Sequence, residues 1–283
     1  MTTFVFVMVI GAALLHASWN ALVKVNTDRL FMMAVIMSSQ AVIAALVVPF
    51  VEFPPAAVWP YIWASVALHN AYYLFLVMAY RYGDLSHVYP IARGTSPLIV
   101  AFISVVFVGE ILSQQATISI ALIALGIMSL ALTRGAQGLW EPKAIFSALG
   151  TGVFIAGYTI VDGLGARLAG NPHSYSFWLF ALDGIPLTLL ALYLKKGAIF
   201  KQPPKIWLVG TAAGIISLVA YWIVIWAMTL APMALVSAVR ETSMVFAILF
   251  GVFFLKERLN LMRLVSTAIT LAGAVILKTA NEG

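Results

Sequence analysis

RGTSPLIVAFISVVFVGE, residues 93–110, and RETSMVFAILFGVFFLKE, residues 240–257, lie 147 positions apart and share one pattern. Arg93 falls on Arg240, Ser96 on Ser243, Phe107 on Phe254 and Glu110 on Glu257; beyond them Gly126 falls on Gly273. Upstream, an offset of 148 aligns Pro55 with Pro203, Trp59 with Trp207, Tyr73 with Tyr221 and Ala79 with Ala227. One residue of slippage is a change in loop length. The chain therefore reads as two related halves, residues 1–141 and 142–283, joined near Trp140-Glu141-Pro142.

Composition sets what each half is made of. Of 283 residues, 63% are hydrophobic and 9% are charged, and the mean hydropathy is +1.03. A soluble domain carries roughly 25% charged residues, and one this apolar could not hide its surface from water. Ten apolar runs are visible, at about 3–22, 30–51, 58–80, 87–108, 116–133, 143–162, 174–194, 206–228, 234–255 and 263–280. Each is near the roughly 20 residues that a membrane-spanning helix needs, and none alternates with the period of two that a barrel strand shows. The expected fold is all-α, a polytopic membrane protein of ten helices arranged as two five-helix repeats. An odd number of spans per repeat forces the second copy to enter the membrane from the opposite side, an inverted repeat.

Charge placement is an independent test. Loop 4–5 has no basic residue, whereas its counterpart, loop 9–10, has Lys256, Arg258 and Arg263. Loop 2–3 has none, whereas loop 7–8 has Lys195, Lys196, Lys201 and Lys205. Sorted by side, Lys24, Arg29, Arg81, Arg134 and Lys143 join those residues on one face, and only Arg167 and Lys278 flank the other. The positive-inside rule makes the crowded face cytoplasmic and puts both termini outside the cytoplasm, in a cell (inner) membrane. The formal charge of +6 thus reports topology and not nucleic acid. Cysteine is absent, which excludes disulfides and thiolate chemistry. The start of the chain has no basic region ahead of its apolar run, so that run reads as a retained helix.

Several segments resemble drug/metabolite transporters of the EamA type. They are Ala79-Tyr80-Arg81-Tyr82-Gly83 running into Leu85, Pro97 ahead of an apolar stretch ending Gly109-Glu110, Ala227 through Pro232, and the stretch ending Lys256-Glu257-Arg258-Leu259. Lys256 stands where the pattern has glycine, and Met244 stands where the first half has Pro97. The resemblance implies a ten-helix secondary transporter with a central cavity between the halves. His16-Ala17-Ser18-Trp19-Asn20 is also similar to a group of membrane proteins associated with phosphonate use.

Five formal charges fall inside the runs: Arg93, Asp162, Asp183, Arg240 and Glu241. Each costs roughly 2.5–3.5 kcal/mol at a helix centre, so they must pair, reach the interface or face water. Arg93 and Arg240 are repeat mates whose planar forks suit a carboxylate or phosphate; the alternative is that both are locked by acids. Asp162 and Glu241 are the expected proton-coupling acids, or else structural partners of arginine. Asp162 also falls near the end of its run, where it would be interfacial. Glu241 points about 100° from Arg240 on a continuous helix and need not pair with it. His16 and Asn20 form a polar stripe on helix one, flanked by Trp19. His69 and Tyr73 mark helix three, and Tyr221 is the repeat mate of Tyr73. These residues are the expected substrate-binding set. Pro90, Pro97 and Pro186 fall inside runs as hinges or static kinks. Gly210 and Gly214 form a close-contact pair.

The expected function is a secondary transporter moving an amino-acid-like zwitterion or organic anion by alternating access, with protons as the candidate coupling ion. Its partners are the small-molecule substrate and the bilayer. No cofactor, metal site, catalytic residue or nucleic-acid partner is expected. The alternatives are a transporter of organic cations such as quaternary amines, and an intramembrane enzyme or channel-like protein. No His-Glu-x-x-His, Gly-x-Ser-x-Gly or phosphate-loop motif occurs.

Overall fold

Prolines start three helices of the second half. Pro142, Pro172 and Pro204 each open a helix, where the missing N–H would have no intrahelical acceptor. Polar side chains finish other starts: Ser113 Oγ accepts from Ala116 N, Asn171 Oδ1 from His173 N, and Asn260 Oδ1 from Arg263 N. The computed structural model describes residues 1–24, 29–82, 85–134, 142–195, 202–253, 256 and 260–279. Trp140, Glu141, Glu257 and Arg258 lie outside the described residues.

The described residues form α1 (Thr3–Lys24), α2 (Arg29–Val47), α3 (Trp59–Tyr82), α4 (Leu85–Ile103), α5 (Gln114–Ser129), α6 (Pro142–Ala169), α7 (Pro172–Lys195), α8 (Pro204–Leu230), α9 (Met233–Arg240), α10 (Ser243–Phe253) and α11 (Leu261–Thr279). α9 and α10 are two pieces of one span, Met233–Phe253. Among the described residues nine segments are long and apolar enough to cross a membrane. α3, with 24 residues, is long enough too but more polar, because it carries His69, Asn70, Tyr72 and Tyr73. Large apolar side chains such as Leu46, Phe107 and Leu208 point outward, the surface that lipid wets.

The helix pairs in contact exchange when span n is swapped for span n+5. α1 packs on α8 and α6 on α3; α2 packs on α8 and α7 on α3; α4 packs on α6, and α9 and α10 on α1. Two pairs are self-matched, α2 with α7 and α5 with α11. Glycine sets the second of these distances. A Cβ on Gly126 would meet Thr270 N at 2.9 Å, and one on its mate Gly273 would meet Ser119 O at 3.0 Å. Ser129 and Ser266 share a 2.6 Å hydroxyl contact across the same seam. Gly210 and Gly214 do mark a close contact: their faces meet Val35 and Ile36 of α2.

Three local features stand out beside the sequence reading. α4 and α7 run through Pro90, Pro97 and Pro186 as helix. The break comes instead in the ninth span at Glu241-Thr242, which has no proline. There the last turn of α9 tightens, with Glu241 N bonded to Ala238 O. α6 continues seven residues past Asp162, so Asp162 is wholly buried and not interfacial. Finally, α4 ends in a wide π-type turn, Ser104–Val108, closed by Gly109 at φ 78°. Lys256, the repeat mate of Gly109, takes the same left-handed backbone at φ 55°.

Candidate functional site

All five charges expected inside the membrane are buried: Arg93 and Arg240 are 3% exposed, Asp183 7%, and Asp162 and Glu241 0%. They fall into two groups. In the first, Arg93 Nε lies 2.7 Å from Glu241 Oε2, and Arg240 Nη2 lies 3.5 Å from Glu241 Oε1. The break after α9 re-aims Glu241, so one carboxylate is shared between the repeat-mate arginines. Arg93 also donates from Nη2 to Ser243 Oγ at 3.0 Å.

The 2.7 Å contact between Arg93 and Glu241 is a buried ion pair. Arg93 Nε, Arg240 Nε and Nη2, and both Glu241 oxygens remain without hydrogen-bond partners. So do the hydroxyls of Ser96 and Ser237, each one turn from an arginine on its own helix. Two guanidinium groups against one carboxylate leave this group with a net positive charge and spare donors. His16 is within electrostatic reach of both arginines.

The second group is acidic. Asp162 Oδ1 accepts from Tyr175 OH at 2.9 Å, and Oδ2 accepts from Tyr221 OH at 2.5 Å. Asp183 Oδ1 accepts from Asn70 Nδ2 at 3.3 Å. Asp162 and Asp183 have no arginine or lysine partner among the described residues. Between the two groups stand aromatic rings. Arg240 Cζ lies 6.0 Å from the centroid of Tyr158 and 5.9 Å from that of Tyr221. Tyr158 stacks on His69 at 4.0 Å, and Tyr221 meets Tyr158 edge-on at 5.8 Å. His69 is fixed through Nδ1 by Ser65, at 3.1 Å to Oγ and 3.0 Å to the carbonyl.

The structure thus gathers Arg93, Arg240, Glu241, Asp162, His69 and Tyr221 around one interior region, with His16 on its edge. Tyr73 lies behind Tyr72 and donates to Met37 Sδ. Asn20 spends an N–H on the carbonyl of His16, and Trp19 Nε1 contacts His16 Nδ1 at 3.4 Å. Sequence reading missed Tyr158 and Tyr175. Tyr158 precedes Asp162 by four residues on one helix, a same-face spacing that was open to inspection.

A third cluster was also missed. Glu110, aimed by the Gly109 turn, accepts from Arg167 Nη2 at 2.7 Å and from Met233 N at 2.9 Å; Ala234 N lies 3.5 Å from its other oxygen. It caps the start of α9. Arg167 also donates to Met228 O and Ala231 O at the end of α8. This latch ties the loop between α4 and α5 to three helices of the second half, on the side with few basic residues.

Helix lengths, an outward apolar surface and ionic groups buried inside the bundle define an integral, polytopic helical membrane protein. Residues 142–279 match the model of the EamA-like transporter family, a match that supports assigning the chain to the EamA type of the drug/metabolite transporter superfamily, whose members are membrane transporters of small molecules. A solved crystal structure is similar over 99% of this chain and 97% of its own, at 16% identity and a TM-score of 0.76, and so shares its fold. Among curated proteins none matches the sequence.

Proposed function

We propose that the chain is a secondary transporter that moves a small polar metabolite with an acidic group, an amino-acid-like zwitterion or organic anion, by alternating access. The observation that carries this reading is the pair of buried repeat-mate arginines sharing one glutamate while keeping unused N–H donors. A planar carboxylate or phosphate-like group fits such forks, and it would complete donors that are costly to leave bare. The exchanged helix contacts support a rocking of two inverted halves, 1–141 and 142–283, about that site. Quaternary amines are the weaker reading, because the faces of Tyr158 and Tyr221 are already covered by the Arg240 guanidinium.

Asp162 and Glu241 are the acids proposed to exchange protons during the cycle. The lysine-rich face is taken as cytoplasmic in the cell membrane, with both termini outside. Saturable flux of organic acids and amino acids into proteoliposomes tests the function. Arg93→Ala and Arg240→Ala are expected to weaken substrate affinity at least 10-fold; wild-type affinity in both removes the anion site. Flux that ignores a pH gradient, and is unchanged in Asp162→Asn and Glu241→Gln, removes proton coupling.

A further inference from the structure

Resting on that reading of alternating access, we infer that Ser96 and Ser243 are positioning residues that act in turn. Ser243 holds Arg93 in the arrangement latched at Glu110, and Ser96 holds Arg240 in the oppositely opened one.

The first ground is that repeat mates stand in different states. Ser96 and Ser243 are mates, as are Arg93 and Arg240. Arg93 Nη2 donates to Ser243 Oγ at 3.0 Å. The mirror contact, from Arg240 to Ser96, is not made. Ser96 is 0% exposed and its hydroxyl has no partner; Arg240 is 3% exposed, and its Nε and Nη2 have none either. Buried donors and acceptors left bare are costly and rare. Here the bare donor and the bare acceptor are the mates of a pair that is made.

The second ground is the backbone. α4 runs unbroken through Gly94-Thr95, whereas the second half breaks between Arg240 and Ser243. The mates Thr95 and Thr242 record the difference. Thr95 Oγ1 donates four residues back, to Ile91 O, and Thr242 Oγ1 only three back, to Val239 O, each at 2.7 Å. Glu241 sits in that break and lies closer to Arg93, at 2.7 Å, than to Arg240, at 3.5 Å. One structural element is thus present in two conformations within one molecule. Inverted halves that exchange their conformations turn a site from one side of the membrane to the other. That exchange brings Arg240 to Ser96 and releases Arg93 from Ser243. In each arrangement one arginine is held by a serine and the other keeps its donors for the substrate. The Glu110 contact to Met233 N belongs to the present arrangement.

The test uses the full chain in proteoliposomes without substrate. The chain has no cysteine, so Ala231→Cys, beside the latch and 7% exposed, reports opening on that side through maleimide labelling. Ser243→Ala removes a contact of the present arrangement and should speed labelling about 10-fold, the scale of one hydrogen bond from a charged donor. Ser96→Ala removes nothing from the present arrangement and one contact from the other, so it should slow labelling about 10-fold. A serine with a merely structural role leaves the rate alone or raises it, and never lowers it. The double variant loses one contact on each side and should return to within about threefold of the parent. Ser96→Thr and Ser243→Thr keep the hydroxyl and should also stay within about threefold, and the thermal midpoint of each variant reports its fold.

The inference is overturned if Ser96→Ala labels as fast as the parent or faster, because the difference between the halves is then permanent. It is also overturned if Ser243→Ala fails to speed labelling, or if threonine at either position behaves as alanine. Each of these results leaves the transport reading standing when saturable flux persists. Opposite shifts from the two serines, with no saturable flux of any organic acid or amino acid, support the exchange and defeat the underlying function instead.

Discussion

Removing the Glu110 carboxylate should open the side of the protein that the latch closes. In Glu110→Ala, Arg167 loses its ion pair but keeps the carbonyls of Met228 and Ala231, so no bare charge is left behind. The 2.7 Å pair is discounted because Arg167 is 31% exposed, which leaves about 1 kcal/mol. Loss of the charged cap on Met233 N, at 2.9 Å and with Glu110 only 8% exposed, costs about 1.5–2 kcal/mol. The more distant Ala234 N adds little. Together the latched arrangement loses about 3 kcal/mol relative to one in which Glu110 faces water, roughly 100-fold in population. The chain has no cysteine, so one introduced thiol reports without background. Ala231→Cys places that thiol at a site 7% exposed, beside the latch. Its maleimide labelling should accelerate about 30–100-fold in the Glu110→Ala background, and by about 10-fold in Glu110→Gln, which can still accept from α9. Equal rates within twofold, at an unchanged thermal midpoint, would refute the claim that this contact holds the side closed.

Glu241→Gln leaves two buried guanidinium groups without their shared counter-ion and should destabilise the protein by about 3–5 kcal/mol; adding Arg93→Met should restore part of the loss of thermal midpoint. Lys256→Gly should stabilise by about 1 kcal/mol, read in denaturant unfolding, because a lysine there occupies the left-handed backbone that its mate Gly109 takes freely. Gly126→Val should cost about 1–3 kcal/mol and separate α5 from α11, since even a first carbon would press on the Thr270 backbone at 2.9 Å; a thermal midpoint equal to wild type would contradict that packing.

The spans were legible because apolar length is a property of each segment alone. What escaped was whatever depends on a partner. The run read as 143–162 stopped at Asp162 because a charge normally marks the edge of a membrane helix. α6 goes on to Ala169 because Tyr175 and Tyr221, from two other helices, satisfy that charge. Arg167 read as a flanking charge, but it spends its donors on Glu110 and on the end of α8. The break at Glu241-Thr242 carries no glycine or proline, whereas the prolines of α4 and α7 sit in continuous helix. A two-way pull on Glu241 by Arg93 and Arg240 accounts for a break that local propensity does not mark. Repeat mates were the most dependable clue to the interior: Arg93 with Arg240 and Gly126 with Gly273 all lie at buried seams.

α9 is eight residues long, and all eight are buried. Its first residue is held by the latch at Glu110, and its last is Arg240. A helix of that length spans about 12 Å and does not compress. It is detached from α10 by the break that follows it. A pull on the arginine at one end is therefore delivered at the other as a displacement of equal size, against the bond that Glu110 makes to Met233. Under the proposed function, α9 is the rigid part that joins a molecule held at Arg240 to the Glu110 contact at the rim.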